Sequence, residues 1–275
     1  RICLDPKPLN KANKRERHHI PTAEDVQSKL NGMKILPVVD MRDSYRHVKL
    51  TEKASYLCTF HTPWGRKRFC RMPFGISSAS EVMQKRNKST FADIPGVHVI
   101  DDDVIVAARS EHEHDEVLIK VMDRARQKNI KFSLGKLQFK VKSVLYMGNI
   151  VSEQGLKPCP SKVRAIQEMP TPTDRSGLMR FLGMVRYLAQ LIPNETAITK
   201  PLRDLLRKES PWKWDSQQDQ AFADVKEALA RPVTLRFYDP AKPVAIQTDA
   251  SQSGLGSCLL QEGRPVAYAS RSLTT

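Results

Sequence analysis

Short apolar runs rich in β-branched residues, each bounded by turn formers, alternate along this chain with longer stretches whose apolar positions recur every three to four residues. The first texture predicts strands and the second amphipathic helices. Strand-like runs cover 1–4, 35–40, 46–50, 97–100 and 103–106. Residues 56–60 and 66–70 read as a hairpin around Pro63-Trp64-Gly65. Pro37 weakens the early part of the 35–40 run, because proline donates nothing to a ladder. Further short strands are expected within 131–139, 144–151 and 155–157. Helical spacing covers 22–30, opened by Thr22 as N-cap with Asp25 three residues on. It returns over 78–91 and 111–129, where Val117, Leu118, Val121, Met122 and Ala125 make one stripe.

Beyond residue 157 the texture changes. Pro158, Pro160, Pro170 and Pro172 flank a short helix over 161–168 and mark a domain boundary. Helices follow over 174–192, 198–207 and 215–230, the last with Asp215 as N-cap. Strands over 244–249, 254–260 and 265–270 close the chain. The mixture of strands and helices predicts an α+β protein with a candidate domain boundary in the proline-rich stretch after residue 157.

Composition adds a partner class. The 275 residues carry a formal charge of +15, which calls for a polyanion, most simply nucleic acid. No apolar run reaches the length of a membrane span, and no lipidation signal or signal peptide is present, so no membrane partner is expected. Five scattered cysteines without a Cys-x-x-Cys pair fit a reduced, intracellular, cytoplasmic protein. The chain opens without Met and stops just after a strand-like run, so it reads as a piece of something longer.

The chemistry gathers at two places. Between two apolar runs stand Asp101, Asp102 and Asp103, and Asp40 ends the run before it. A hairpin turn and a metal site explain the three aspartates equally well, since Asp is a turn residue and adjacent carboxylates repel one another. Asp40 is a carboxylate at the end of a buried strand, costly unless paired or metal-bound. Brought together, Asp40, Asp102 and Asp103 are a donor set for two Mg²⁺ ions, with Mn²⁺ as a substitute, about 4 Å apart for displacement at phosphorus. His112 and His114 stand two apart on the 111–129 helix and are expected in a solvated first turn.

In this context the sequence resembles the reverse transcriptase of long-terminal-repeat retrotransposons of the gypsy type. Val39-Asp40-Met41-Arg42-Asp43-Ser44-Tyr45 resembles that family's first catalytic motif. Arg71 to Ile76 with Ser77-Ser78-Ala79 resembles the second, and the hairpin around Asp102-Asp103 the third. Lys136 with Phe139 resembles the fourth, and Tyr146-Met147-Gly148 the primer-gripping fifth. Arg180 to Met184 resembles the linker helix, and Thr248-Asp249-Ala250-Ser251 the start of the ribonuclease H domain.

The resemblance implies fingers and palm over 1–157 with an antiparallel palm sheet backed by helices, a helical thumb-like linker over 158–240 and a partial α/β ribonuclease H stub over 241–275. It implies Asp40, Asp102 and Asp103 as metal-binding catalytic carboxylates, joined by the Met41 carbonyl. Arg42, Asp43 and Ser44 fall with them in the nucleotide site, with Tyr45 beneath the incoming sugar; a core aromatic is the rival reading of Tyr45. Phe74 and Gly75 line the nucleotide and template, Arg1 meets the triphosphate, and Lys136 protonates leaving pyrophosphate or is simply solvated. The implied partners are an RNA or DNA template with its primer and deoxynucleoside triphosphates.

Departures from the pattern bear on activity. Ile100 stands where the third motif usually has an aromatic, and Asp101 where it has an apolar or small residue. Ser80 and Leu137 replace a common proline and cysteine. Asp249 alone does not make a ribonuclease H centre, so no nuclease activity is expected. The expected function is RNA-directed DNA synthesis. The alternative is a decayed or domesticated nucleic-acid-binding fragment of the same element. A polymerase of another class is disfavoured by the Asp249 segment.

Overall fold

A computed structural model describes residues 2–273 except 23, 24, 27, 140, 209, 232, 252 and 253. The chain divides into two compact units, Arg1–Val144 and Leu145–Thr275.

In the first unit, α1 (Lys7–Ala12) precedes an extended segment, and Thr22 and Asp25 exchange reciprocal backbone–side-chain hydrogen bonds (3.2 and 2.8 Å). The expected helix over 22–30 otherwise falls partly outside the described residues. Strand β1 (Val38–Asp40) begins only after Pro37, whose carbonyl accepts from Val106 N at 3.0 Å. The run over 1–4 makes one isolated parallel bridge, Cys3 to Phe74, rather than a strand.

Of the expected strand over 46–50, Arg46 and His47 belong instead to a 3-10 turn, Ser44–His47, which follows the left-handed φ of 51° at Asp43, while 48–50 run extended beside 70–72 through the antiparallel Lys49–Arg71 bridge. Tyr56 and Leu57 belong to α2 (Glu52–Leu57), capped by Thr51, and the hairpin is β2 (Thr59–Thr62) with β3 (Gly65–Arg68). Helix α3 (Ala79–Phe91) then leads to β4 (Val97–Ile100), β5 (Asp103–Val106) and α4 (Glu111–Gln127). The expected strand in 131–139 is isolated bridges, Met41–Phe132 and Val38–Gln138, around a 3-10 turn at Leu134–Lys136.

The sheet order is β1-β5-β4, all antiparallel. Its strands are mainly apolar, with β1 and 104–106 of β5 buried and Val97, His98 and Asp103 half-buried. Helices α3 and α4 close one face through Met83, Phe91, Val117, Val121 and Ala125, which pack with Met41, Val104 and Val106. Each of these valine, methionine and phenylalanine side chains contributes roughly 1.5–3 kcal/mol of burial. Helix α4 is started by the Ser110 side chain accepting from Glu113 N, with acids in its first turn and arginines in its last, matching its dipole.

His114 is a correction. It is fully buried, edge-on to the Phe139 ring at 5.6 Å, with Nδ1 2.8 Å from Asp115 Oδ1, while His112 stays exposed. Its position three residues before Val117 puts it on the apolar stripe.

The chain passes from the first unit to the second within β6 (Ser143–Tyr146), which forms a sheet with β7 (Asn149–Ser152) and β8 (Gly155–Pro158) in that order. Helices α5 (Pro160–Gln167), α6 (Arg175–Tyr187), α7 (Glu195–Ile198), α8 (Lys200–Asp204) and α9 (Ser216–Ala230) follow. The Phe181 and Phe222 rings, 4.6 Å apart, join α6 to α9, and Trp214 packs edge-on against Phe222 while donating to Asp219. Asp215 and Gln218 form a capping box at α9. Strands β9 (Ala245–Ser251), β10 (Gly254–Gln261) and β11 (Arg264–Ser272) form an antiparallel meander. The protein is α+β. Among the described residues no helix is long and apolar enough to cross a membrane.

Candidate active site

Strand pairing brings the acids together. In the β1–β5 ladder Asp40 is the direct partner of Asp103, and Met41 N donates to the Asp102 carbonyl at 2.8 Å. Carboxylates 63 positions apart in sequence thus share one end of one sheet. Asp40 is buried, and its Oδ2 accepts from the Lys136 ammonium at 2.7 Å. The carboxyl of Asp103 is pushed up to about 6, first by burial, then by repulsion from Asp102 and Asp40, with Lys136 acting against the rise. Conversely, Lys136 is held above the usual lysine range, chiefly by its hydrogen bond to Asp40, with added attraction from Asp102 and Asp103. One ammonium therefore feels all three carboxylates.

That ammonium is an internal stand-in for a cation. Among the described residues no three acidic, histidine or cysteine side chains are already drawn close enough to enclose an ion. The donors nonetheless fit a hard divalent ion: they are carboxylate oxygens, they repel one another, and they already hold a positive charge.

The hairpin tip is held from behind by α3. Gln84 Nε2 donates to the Val99 carbonyl (2.8 Å) and its Oε1 accepts from Asp101 N (2.9 Å), while Asn87 donates to the Asp101 carbonyl (2.6 Å). Ile100 pairs with Asp103, leaving a two-residue turn in which Asp101 has φ 50°. Positive φ at the first turn position is tolerated by Asp. The Asp101 carboxyl nevertheless sits above its ordinary range, through burial and then the charges of Asp102 and Glu81. Its Oδ1 is buried without a hydrogen bond among the described residues. Gln84 and Asn87 were not singled out from sequence. Their signal is polar side chains three apart on the helix face that otherwise buries Met83 and Phe91.

Around this end of the sheet, Ser44 is buried, and Tyr45 contacts the Phe74 ring (centroids 5.0 Å) and shares a hydrogen bond with Ser80 Oγ (2.8 Å). Gly75 has φ 106°, and a Cβ there would run into the Leu4 carbonyl oxygen. Leu4 N in turn donates to the Phe74 carbonyl, and the Asn10 side chain bonds both Gly75 O and Ser77 N. Arg42 N donates to the Lys131 carbonyl, and Asp43 stands 3.9 Å from Arg46. Arg1 lies outside the described residues.

In the second unit Tyr146 is buried, and Met147 and Gly148 (φ 46° and 69°) turn from β6 into β7. The Tyr187 hydroxyl donates to the Met147 carbonyl, and the Lys162 ammonium lies 3.4 Å from the Tyr187 ring centroid. Asp249 is exposed on β9 opposite Gly256, beside a shallow cleft shared with Leu255 and Ser257.

An antiparallel sheet with acids in register at its tip, backed by two helices, is the palm of the reverse-transcriptase type. The structure of the foamy viral protease-reverse transcriptase dRH in complex with ds DNA superimposes with a TM-score of 0.92. It has 22% identity and covers 100% of this chain and 49% of that one. The same viral protein in complex with RNA/DNA hybrid gives 0.90 at 22% identity, covering 100% and 38%. These likenesses establish the fold.

The chain belongs to the reverse transcriptase family. Residues 2–151 match the family described as reverse transcriptase (RNA-dependent DNA polymerase), and residues 214–275 match the RNase H-like domain found in reverse transcriptase. The Transposon Tf2-3 and Tf2-7 polyproteins of Schizosaccharomyces pombe are each 30% identical over 281 residues, covering 100% of this chain and 21% of the relative. The chain thus spans about a fifth of the length of these curated relatives.

Proposed function

We propose that this chain is the polymerase part of a gypsy-type long-terminal-repeat retrotransposon polyprotein and performs RNA-directed DNA synthesis. The observation that carries the reading is the pairing of Asp40 with Asp103 beside Asp102 and a single ammonium that feels all three. Asp40, Asp102 and Asp103 are the residues to hold two Mg²⁺ ions, which when bound supply charge neutralisation at the reacting phosphate and alignment of the primer hydroxyl. Lys136 holds the Asp40 carboxylate in place until the substrate complex forms. It is then positioned to give a proton to the departing pyrophosphate, for which its raised pKa must fall. Tyr45, fixed by Ser80 and Phe74, forms a floor whose bulk disfavours a 2′-hydroxyl. Phe74 and Gly75 offer backbone close to the template. Met147 and Gly148 serve the primer end. The nucleic acids in the foamy viral complexes, a ds DNA and an RNA/DNA hybrid, support a primed template as partner.

Primer extension on an RNA template with Mg²⁺ tests the reading. Synthesis by the wild-type chain, reduced at least 10³-fold by Asp103→Asn and by Asp40→Asn, is the expected result. Extension that survives both substitutions refutes it. The strain and repulsion at Asp101 favour a second reading, a binding module whose chemistry has decayed. It predicts salt-sensitive binding of primed template with no extension, and restoration of extension by Asp101→Gly.

A further inference from the structure

Tyr45 stands on a short support. It lies in the 3-10 turn Ser44–His47, and such turns hold their geometry less firmly than an α-helix. Its half-buried side chain packs against the core cluster that includes Ala79 and Met83, and its ring meets that of Phe74 at 52°. Apolar contacts of this kind are not directional enough to fix the hydroxyl end of the ring. A hydrogen bond fixes it instead: the Tyr45 hydroxyl lies 2.8 Å from the Oγ of Ser80, in the first turn of α3.

Ser80 is one of three polar side chains on a single face of α3, spaced four and three apart. The other two, Gln84 and Asn87, hold the tip of the β4–β5 hairpin, where Asp102 and Asp103 stand. One helix thus sets the tyrosine ring and the hairpin acids against a common frame. Ser80 also stands where a proline is common in the family. Proline has no hydroxyl, so the bond to Tyr45 comes from this chain's own sequence rather than from the shared pattern.

We infer that Ser80 determines sugar specificity: by anchoring the Tyr45 hydroxyl to α3, it holds the ring against the place a 2′-hydroxyl would take and sets how strongly ribonucleotides are rejected. A deoxynucleotide has no hydroxyl there and gains little from a ring free to tilt, whereas a ribonucleotide gains room. Loss of the anchor therefore acts on the ratio between the two substrates, not on synthesis as a whole. Ser80 acts through Tyr45 rather than on the reacting groups, which makes it a positioning residue. The inference rests on the polymerase reading and adds to it a determinant of sugar choice.

Single-nucleotide insertion by the full chain on a primed RNA template with Mg²⁺, using dCTP and CTP in turn, tests it. Ser80→Ala should raise the CTP-to-dCTP ratio of kcat/KM roughly three- to tenfold, the net worth of one hydrogen bond, mainly through faster CTP insertion. Ser80→Pro, a residue accepted in a first helical turn, should do the same. Ser80→Thr keeps the hydroxyl and should restore a ratio within about twofold of the wild type. Tyr45→Phe cuts the same bond from the other side while keeping the ring, and adding Ser80→Ala to it should change the ratio no further. It also reports where a Ser80 variant melts early. Insertion by the wild type with a ratio unmoved by Ser80→Ala overturns the inference and leaves the polymerase reading standing. An equal fall with both nucleotides, or effects of Ser80→Ala and Tyr45→Phe that multiply, also overturns it, since Ser80 would then serve stability alone or act apart from Tyr45. No insertion of either nucleotide by the wild type refutes the polymerase reading, and the inference falls with it.

Discussion

At the scale of single residues, strain sits where the acids are displayed. Asp101 combines a left-handed backbone, a buried carboxylate oxygen without a partner and repulsion from Asp102 and Glu81. Asp101→Gly removes all three, and should stabilise the protein by about 1 kcal/mol, raising Tm by roughly 2–4 °C in a thermal melt. A lowered Tm would mean that the carboxylate has a stabilising partner. Gly75 is the opposite case. Gly75→Ala adds a methyl group against the Leu4 carbonyl at φ 106° and should cost about 2 kcal/mol or more. Limited proteolysis should then cut the released segment before Asn10 faster than in the wild type.

At the scale of elements, helix α3 and hairpin β4–β5 work as one piece, since Gln84 grips both sides of the turn. Gln84→Ala leaves the Val99 carbonyl and Asp101 amide unsatisfied and should cost roughly 1–3 kcal/mol in denaturant unfolding. His98 on β4 gives the hairpin a pH dependence. Burial, then the charge of Lys29, lowers its pKa from 6.5 to about 4. The unfolded chain therefore takes up this proton first, so the folded state loses stability as pH falls through the window from 6.5 to about 4. The loss should approach roughly 2–3 kcal/mol, reduced from the full linkage value because the ring keeps some exposure. His98→Gln should flatten that part of the stability profile; an unchanged slope would assign it to other groups.

These elements also show what was legible in the chain. Helices α3, α4 and α9 and the hairpin β4–β5 were readable because one face or one run carries the burial and a capping residue or turn marks the boundary. The 3-10 turn at Ser44–His47 was not, because its alternating residues imitate a strand while Asp43 sets the backbone. Helix α2 hid for a similar reason: Tyr56, a strand former, and Leu57 are exposed on a short helix started by Thr51, so no buried stripe marks it. Asp40 and the hairpin acids could be singled out as carboxylates at strand ends. Their pairing is a long-range fact carried by the ladder. Lys136 was named from resemblance, but its bond to Asp40 has no sequence signal.

At the scale of the whole molecule, the charge of +15 dominates. Binding to primed template should weaken linearly in log K against log salt, with a slope near −0.9 per phosphate neutralised. The β2–β3 hairpin presents Trp64, Arg66 and Lys67 to solvent, a stacking surface beside cations with no carboxylate in ion-pair range among the described residues. Replacing Arg66 and Lys67 together by Gln should reduce the slope by about 2 in a fluorescence titration. An unaltered slope would place the nucleic acid elsewhere.

The ladder between Asp40 and Asp103 has a consequence for how such a chain can change over time. The distance between the two acids is stored in strand register, not in the residues that separate them. Exposed loops and the β2–β3 hairpin in that interval are free to be enlarged or trimmed while the acids keep their places, whereas α3 is bound to the hairpin tip through Gln84 and Asn87. A slip of one position in either strand, by contrast, would send one acid to the opposite face, so tolerance to insertion should end abruptly at the borders of these two short strands.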